Sequence, residues 1–421
     1  MLKIKIIKTF LLLLVSGYFL GTGVSNVDAV VSTREGSLNS YLEKMRFGIE
    51  GDGLWVTPTL AQQNEVGEIV EDILEGQYSN ANDKAAILDG EVLKFIDGTK
   101  EYYILHINLE RMVSGNYRSL GGTYVFYPEG VNSAIQIPHP SFDINTDKEG
   151  VEAYLSLGSK YLLLSGTHRN SSDVTSSCQL EYKESDASHN NGHYFFSVHK
   201  ALSMANDDTI FIELHGFGSS MRNTLWSQCD ATHNMELINI SEGIDDLDET
   251  SFMYLLHQEI TENTTIKSCV YSPSNNVNVD DVYTSATGGT HNVIGRLIND
   301  VTNVCDVPAT SSSHRFVHIE QSYEVRNNRR GDVVEALRNV HEKLVVSLTR
   351  ANVDQNSTIN TVDAMLTLRN SLGLDMSQTN WQSSTTTGDV NCDGISNSTD
   401  AMLILRYSLG LSMGGTGWCV G

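Results

Sequence analysis

Four histidine and glutamate side chains follow apolar segments that have the length and composition of buried strands. They stand at or just beyond the carboxyl ends of these segments, and they are His139, His168, His215 and Glu320. In open α/β sheets, the residues at the carboxyl ends of the strands line the ligand site. Imidazole and carboxylate groups bind zinc, which polarises a water molecule, while a free carboxylate acts as general base. The pattern therefore predicts a catalytic metal site at one edge of a sheet.

The ligands of this site are expected to come from several of the predicted strand ends. His168 and His215 are the predicted zinc ligands, and His139 or a carboxylate completes the shell. The candidate carboxylates are Asp143, Asp173 and Asp186. The alternative is that each strand-end histidine is a hydrogen-bonded structural residue, as is common for single histidines in folded proteins.

The remaining catalytic roles fall to a carboxylate and an arginine. Glu320 is the predicted general base. Arg169 or Arg326 would hold a substrate carboxylate through two parallel hydrogen bonds. His193 and His199 lie on a predicted helix, and for both of them a structural role is favoured.

A second kind of metal chemistry is predicted at the C-terminus, where the sequence repeats with an offset of 37 residues. Residues 352–374 and 389–411 each contain a loop of twelve residues followed by Ala-Met-Leu-x-Leu-Arg-x-Ser-Leu-Gly-Leu, and Trp381 and Trp418 repeat at the same offset. Side-chain oxygens recur at loop positions 1, 3, 5, 9 and 12, and position 7 offers its carbonyl oxygen, as in an EF-hand calcium loop. The predicted ligands are Asn352, Asp354, Asn356, Thr358, Asn360 and Asp363 in the first loop, and Asp389, Asn391, Asp393, Ile395, Asn397 and Asp400 in the second. The first loop has two carboxylates and the second has three, so we expect weaker calcium binding in the first.

This duplicated loop–helix unit resembles a type I dockerin over about residues 350–421. The resemblance implies a small all-α calcium-binding domain that docks onto a cohesin-bearing scaffold protein. In that family loop positions 10 and 11 contact the cohesin, and here these positions are held by Thr361, Val362, Ser398 and Thr399. Position 12 is aspartate, as is usual in dockerins, and Ser357 stands where the second loop has Gly394. The alternative is a calcium-stabilised cap that has no partner.

The large domain resembles zinc-dependent amidohydrolases and carboxypeptidases, in particular N-formylglutamate amidohydrolase, through short sequences that cover about half of the domain. In that family a histidine ends a central strand, which is matched here by Glu213-Leu-His215-Gly216. A late strand of the family ends in a glutamate with an arginine nearby, matched by Glu320 and Arg326. The early His-x-x-Glu ligand pair is not matched, because His168-Arg-Asn-Ser171 lacks the glutamate. The resemblance implies a hydrolase that contains zinc.

The composition of the 421 residues is that of a folded protein with two or three domains. Apolar residues make up 40% of the chain, and the formal net charge is −24. A strongly negative field repels phosphate backbones, so nucleic-acid binding is not expected. No segment after residue 25 is apolar enough for a membrane span.

The first 29 residues are predicted to be a secretory signal peptide. Lys3, Lys5 and Lys8 precede an apolar run over residues 10–15, and Val27-Asp-Ala29 offers small residues at the spacing of a cleavage site. An uncleaved N-terminal anchor is the alternative. We therefore expect a secreted, extracellular protein.

The six cysteines are expected to form three disulfides in that oxidising compartment. They are Cys178, Cys229, Cys269, Cys305, Cys392 and Cys419. Only the pairing of Cys392 with Cys419 is predicted, because both lie in the small C-terminal module.

Residues 30–349 are predicted to form a three-layer α/β domain, which is followed by the calcium-binding domain at 350–421. Strands are predicted at 104–109, 122–127, 132–138, 160–164, 209–214 and 315–319, and helices at 148–157, 192–204 and 330–349. Apolar strands that alternate with helices predict a mostly parallel sheet with helices on both faces.

Three functions remain open on the sequence alone. The first is a secreted metal-dependent hydrolase of an amide or ester bond, attached through a dockerin. The second is a polysaccharide-degrading enzyme such as a glycoside hydrolase, whose two carboxylates cannot be singled out among 52 acidic residues. The third is a non-catalytic glycan-binding component, which is disfavoured because the chain has only 4 tryptophans. A serine esterase is disfavoured by the lack of a Gly-x-Ser-x-Gly sequence.

Overall fold

The computed structural model describes residues 31–421 except 207, 230–235, 246–247, 273–282, 285, 357, 385, 414 and 420–421. The predicted signal peptide at 1–29 and Ser357 of the first calcium loop lie outside the described residues.

The chain forms strands numbered β1–β12 and helices numbered α1–α11. The strands are β1 Ser32–Glu35, β2 Met45–Arg46, β3 Glu91–Asp97, β4 Lys100–Arg111, β5 Tyr117–Phe126, β6 Val131–Ile137, β7 Ser159–Leu164, β8 Ile210–Gly216, β9 Leu237–Ser241, β10 Lys267–Tyr271, β11 Tyr283–Thr284 and β12 Phe316–Gln321. The helices are α1 Leu38–Leu42, α2 Leu60–Leu74, α3 Tyr78–Ile87, α4 Thr146–Leu157, α5 Tyr194–Ala205, α6 Ser219–Gln228, α7 Phe252–Asn263, α8 Val293–Ile298, α9 Arg330–Ala351, α10 Thr361–Ser371 and α11 Ser398–Ser408. A single π-helical turn, Val325–Arg329, precedes α9.

One mixed sheet contains the strands in the order β1-β3-β4-β5-β7-β6-β8-β12-β9-β10-β11, and β2 pairs with β5. The centre of the sheet consists of the parallel strands β7, β6, β8 and β12. On one side β3, β4, β5 and β7 pair antiparallel, and on the other β9 is antiparallel to β12. Strands inside a parallel sheet are buried on both faces, so their sequences are almost continuously apolar. The prediction of a mostly parallel α/β sheet is confirmed, whereas the antiparallel region around β4 was not predicted.

Alternate residues of the central strands enter two separate apolar cores. Ile212 and Leu214 of β8 and Val317 of β12 face a core that includes α1, α4, α7 and α9. Phe211 and Phe316, on the same two strands, face a second core that includes α2, α3, α5 and α8. Successive side chains of a strand point to opposite faces, which produces this division. Helices therefore cover both faces of the sheet.

The carboxyl ends of the four central strands open on one edge of the sheet, in the order β7, β6, β8, β12. His168 follows β7, and His139 follows β6. His215 is the penultimate residue of β8, and Glu320 is the penultimate residue of β12. Because β6 lies between β7 and β8, it separates His168 from His215.

Helix α9 connects the large domain to the C-terminal repeats. It buries one face, since Val333, Leu337 and Val340 belong to the core shared with α4 and α7. The last residue of α9, Ala351, belongs instead to a separate apolar cluster formed with α10 and α11. The tail therefore has a small core of its own.

Helices α10 and α11 pack against each other and begin with the same capping arrangement. The side chain of Asn360 caps α10 while Asp363 bonds back to the cap residue. Asn397 and Asp400 do the same for α11. Such reciprocal caps satisfy the free N–H groups of the first turn. The sequence repeat is therefore also a structural repeat.

Three disulfides join Cys178 to Cys305, Cys229 to Cys269 and Cys392 to Cys419. The expectation of three disulfides is confirmed, and so is the predicted pair Cys392–Cys419. Disulfides are typical of proteins that fold in oxidising compartments. Within the described part of the chain, no helix has both the length and the apolar character that crossing a membrane requires.

Candidate metal centre

The register of β8 and β12 places two acid–histidine pairs side by side. His318 stands opposite Glu213, and Glu320 stands opposite His215. These positions alternate with apolar residues in both strands, so the four side chains leave the sheet on the same face. The residues between and before these positions are apolar in both strands, and polar pairs inside them need partners there.

Three buried side chains converge at this edge: His139, Asp143 and His215. We call them the front group. Nδ1 of His139 lies 3.5 Å from Oδ2 of Asp143, and Nδ1 of His215 lies 3.3 Å from the same oxygen. Glu213, His215 and His318 form a second group behind the first. In each group the ligand-type atoms lie within 4.8 Å of one another. Because His215 belongs to both groups, they form one centre.

Two carboxylates fix the orientation of the front imidazoles. Asp186 accepts a hydrogen bond from Nε2 of His139 at 2.9 Å, and Glu213 accepts one from Nε2 of His215 at 2.5 Å. An ionised carboxylate only accepts hydrogen bonds, so Nε2 carries a proton in each ring and Nδ1 faces Asp143. Histidines that bind metals donate their other N–H group to a carboxylate in the same way.

The buried charges of the centre support one another. Burial raises the pKa of Asp143, but the imidazoles of His139 and His215 outweigh it and hold that pKa well below its usual range. Burial lowers the pKa of His215, yet the contacts with Asp143 and Glu213 raise it overall to about 10. Burial likewise raises the pKa of Asp186, but the surrounding histidines and a guanidinium hold it well below its usual range. The carboxylates that face the two front histidines are therefore ionised at neutral pH.

The separations in the front group match those of a tetrahedral zinc site. Ligand atoms about 2.0–2.1 Å from a zinc ion lie about 3.3–3.4 Å from each other at tetrahedral angles. The two distances from imidazole nitrogen to Asp143 are 3.3 and 3.5 Å. Nδ1 of His139 and Oδ2 of Asp143 are also buried without a hydrogen-bond partner among the described residues. Unpartnered buried polar atoms are costly, and a cation between them removes the cost. The residues present therefore fit a metal ion.

Glu320 lies beside this group and is partly accessible to solvent. Its side chain is 15% exposed, and its Oε2 has no hydrogen-bond partner within the part of the chain that the structure describes. Burial raises the pKa of Glu320 to about 7, against the opposing effect of His215. A carboxylate with a free oxygen next to metal ligands is placed as a general base must be.

The structure distinguishes the two candidate arginines. Nη2 of Arg169 donates to Oδ2 of Asp186 at 2.5 Å, and the Arg169 side chain is 20% exposed. Arg326 is only 5% exposed, and its Nη1 donates to the carbonyl oxygen of Ile144 at 2.7 Å. Arg169 is therefore accessible to a substrate, whereas Arg326 supports the segment that carries Asp143.

His168 and Asp173 lie apart from the converging residues. Nδ1 of His168 accepts the backbone N–H of Asn170, and its ring packs against Phe142 with 5.4 Å between the ring centroids. Asp173 is exposed, and its carbonyl oxygen accepts a hydrogen bond from Lys183. Neither His168 nor Asp173 belongs to the groups of described residues that could hold a metal ion. The position of β6 makes His139, not His168, the neighbour of His215.

Glu213 and His318 carry no predicted role, yet both belong to the centre. Oε2 of Glu213 and Nδ1 of His318 are buried without a partner among the residues described. Their sequence pattern is Glu-x-His in β8 and His-x-Glu in β12, within strands that are otherwise apolar. Two alternating polar residues inside a buried strand are the feature from which both residues could have been predicted.

The two helical histidines have structural roles. His193 caps α5, where its Nδ1 accepts the backbone N–H of Phe195 at 3.0 Å. Nδ1 of His199 is hydrogen-bonded to the side chain of Gln136 on the adjacent strand β6 at 2.8 Å.

Each tail loop folds around the aspartate at its twelfth position. Oδ2 of Asp363 accepts the backbone N–H of Asn360 at 2.8 Å, and Oδ2 of Asp400 accepts that of Asn397 at 2.8 Å. Both aspartates are buried, and burial raises the pKa of each. Oδ1 of Asp389 is buried and has no hydrogen-bond partner in the described chain. Buried carboxyl oxygens of this kind are suited to a hard cation.

The other predicted calcium ligands lie on the same loops, where side-chain oxygens accept hydrogen bonds from loop N–H groups. They are Asn352, Asp354, Asn356, Thr358, Asn391, Asp393 and Ile395. The four predicted partner-binding residues, Thr361, Val362, Ser398 and Thr399, are exposed in the first turns of α10 and α11.

Comparisons of the chain with models of known protein families, with curated proteins and with solved structures found no match.

Proposed function

We propose that this protein is a secreted metal-dependent hydrolase that cleaves an amide or ester bond and carries a calcium-dependent docking domain. The observation that supports the hydrolase is the convergence of Nδ1 of His139, Nδ1 of His215 and Oδ2 of Asp143 beside Glu320. Two imidazoles and one carboxylate are a ligand set of catalytic zinc sites, which leave a fourth position open. We therefore propose zinc as the metal.

The residues around the ligands have separate tasks in the proposed reaction. A bound zinc ion would polarise the substrate carbonyl group and activate water. The Glu320 carboxylate takes a proton from the attacking water and passes it to the leaving nitrogen or oxygen as the carbonyl bond breaks. Arg169, held in place by Asp186, pairs with a substrate carboxylate or with negative charge that develops on the carbonyl oxygen.

Metal analysis tests the ligand assignment. Elemental analysis, which counts zinc and calcium separately, should find about one zinc ion per chain. His215→Ala and Asp143→Ala should lose this zinc, because each removes one of three ligands. His168→Ala is the matched control at the same sheet edge and should retain it. Zinc lost from the His168 variant but kept by the Asp143 variant would contradict the assignment, and calcium without zinc would instead support a polysaccharide-degrading or non-catalytic protein.

Activity measurements test the role of Glu320. Glu320→Gln should bind zinc as the wild type does and lose about 100-fold or more of kcat on a panel of N-acyl amino acids, peptides and esters. Glu335→Gln, on the exposed side of α9, is the control and should be fully active. Full activity of the Glu320 variant on a substrate that the wild type cleaves would rule out this residue as the base.

We also propose that α10, α11 and their loops bind calcium and dock onto a cohesin-type domain. The resemblance to type I dockerins supports this, and so do the exposed apolar side chains at equivalent positions of the two helices. These pairs are Met365 and Met402, Leu368 and Leu405, and Leu372 and Leu409. Exposed apolar patches of this kind mark protein interfaces.

The docking proposal is tested with a recombinant type I cohesin as the probe. Binding should be measurable by calorimetry in calcium and should disappear in EGTA, since the loops position both helices. Asp389→Ala combined with Asp400→Ala should remove the calcium-induced ordering of the second repeat. An unchanged calcium response in this variant would contradict the loop assignment, and calcium binding without cohesin binding would leave the tail as a calcium-stabilised cap.

A further inference from the structure

One difference between the two C-terminal repeats is a disulfide that only the second repeat contains. In the second repeat, loop position 4 is Cys392, and it forms a disulfide with Cys419, with 5.7 Å between the Cα atoms. In the first repeat, 37 residues earlier, the equivalent residues are Gln355 and Gln382. The backbone at loop position 4 is left-handed in both repeats, with φ of 56° at Cys392 and 54° at Gln355.

The backbone makes the same contact between loop and tail in both repeats. The N–H of Cys419 donates to the carbonyl oxygen of Val390 at 2.7 Å. The N–H of Gln382 donates to the carbonyl oxygen of Val353 at 2.8 Å. The first repeat therefore has the same geometry held by a hydrogen bond, and the second repeat adds a covalent bond to it.

This contact lies among the proposed ligands of the second calcium loop. Val390 stands between Asp389 and Asn391, and it is buried in the core of the tail. Cys392 stands between Asn391 and Asp393. The disulfide therefore restrains the segment that supplies loop positions 1, 3 and 5.

We propose that the Cys392–Cys419 disulfide is a covalent lock that pre-organises the second calcium loop. The lock rests on the calcium binding proposed above for the tail. A crosslink between residues 27 positions apart limits the conformations of the ion-free loop, so less conformational entropy is lost when calcium binds. A dithiol reductant supplies two electrons and two protons, leaves two thiols on the protein and becomes a cyclic disulfide. Reduction of this bond weakens calcium binding in the second loop and leaves the first loop unchanged.

Calcium titration by calorimetry tests the lock in the full chain. Substitution is preferred to reduction, because a reductant would also attack the other two disulfides. In a background where Asp354→Ala silences the first loop, Cys392→Ser with Cys419→Ser should weaken calcium binding on the order of tenfold. In the reciprocal background, where Asp393→Ala silences the second loop, the same serine pair should leave the affinity of the first loop unchanged.

The first repeat provides the matched gain-of-function variant. Gln355→Cys with Gln382→Cys, once mass spectrometry shows that the new bond has formed, should tighten calcium binding in the first loop. An unchanged affinity in this bridged variant would overturn the lock even if the serine variant failed to fold. Equal calcium affinity of the second loop with and without its disulfide would overturn it directly, while the calcium function stands. Failure of both loops of the wild type to bind calcium would remove the calcium proposal itself.

Discussion

Asp186 connects His139 of the proposed centre to Arg169 through one carboxylate. Its Oδ1 accepts hydrogen bonds from His139 and His189, and its Oδ2 accepts one from Arg169. In Asp186→Asn one accepting oxygen becomes a donor, so one of these partners is lost. We expect zinc affinity to fall by about 10–100-fold, as measured by competition with a chromophoric chelator. Asp173→Asn, which is exposed, is the control, and wild-type zinc affinity in the Asp186 variant would show that this carboxylate does not orient His139.

Glu149 predicts a pH dependence of stability that is separate from the metal ligands. It is fully buried on α4, where Oε2 accepts a hydrogen bond from Gln321 at 2.9 Å. Burial raises its pKa to about 7, although Gln321, Arg326 and Arg330 favour the ion, while Glu152 opposes it. Because the folded-state pKa lies above the unfolded value, this group stabilises the fold fully below about pH 4.5, and the contribution is lost as the pH rises through about 7.

Glu149→Gln should therefore remove this part of the pH dependence. The neutral amide keeps an acceptor for Gln321 and has no charge to bury. Urea unfolding at pH 5 should show little difference from the wild type, and at pH 8 the variant should be more stable by about 3 kcal/mol. Glu335→Gln, on the exposed side of α9, serves as control. If the variant is no more stable than the wild type at pH 8, then burial of the ionised Glu149 side chain does not destabilise the fold.

At the scale of residues, the sequence alone predicts the location of those side chains that stand at the end of a strand. His139, His215 and Glu320 could be placed at one edge, because each follows or ends an apolar strand. His168 fits the same pattern, but the sequence does not show that β6 separates β7 from β8. Glu213 could not be assigned by its position in the chain, because its role arises from the register between β8 and β12.

At the scale of elements, the turn after β8 depends on one glycine. A methyl group on Gly216 would lie 2.1 Å from Cζ of Arg326, whose guanidinium is bonded to the carbonyl oxygen of Ile144. Gly216→Ala should displace Arg326, loosen the segment that carries Asp143 and cost about 1–3 kcal/mol in urea unfolding. Zinc affinity should fall in the same variant.

The matched control for this prediction lies two residues further along. At Gly218 an added methyl group would meet no described atom within 4 Å. Gly218→Ala should therefore change the free energy of unfolding by no more than about 0.5 kcal/mol. Its affinity for zinc should equal that of the wild type. Equal effects of the two substitutions would show that Arg326 does not tie β8 to the Asp143 segment.

The elements that could be predicted are those with strong local patterns. The buried strands β6, β7, β8 and β12 and the helices α4, α5 and α9 lie within about two residues of their predicted bounds, because apolar runs and helical periodicity are local properties. Strand order and direction depend on contacts between distant segments. The predicted strands at 104–109 and 122–127 overlap β4 and β5, but their antiparallel pairing was not predicted for that reason, and β3 was missed.

At the scale of the whole molecule, the described chain has one large apolar core on each face of the sheet and a separate core in the tail. The tail core is formed by Ala351, Ala364, Val390, Leu403, Ile404 and Met413. The formal net charge of −24 means that the folded state accumulates negative charge, which bound cations reduce. We therefore expect both metals to stabilise the protein. Calcium should stabilise the tail, and zinc should stabilise the sheet domain.

Scanning calorimetry of the full chain tests this separation. Calcium at 100 times its Kd stabilises a binding domain by about 2.7 kcal/mol, so dialysis into calcium-free buffer that contains zinc should lower the melting temperature of the tail. The transition of the sheet domain should remain in place, because its proposed ligands take zinc and its core is distinct from that of the tail. Asp400→Ala should reduce this response to the removal of calcium. Trp381 and Trp418 lie in the tail, so the tail transition can also be followed by fluorescence. A single transition that shifts as a whole on calcium removal would show that tail and sheet unfold as one cooperative unit.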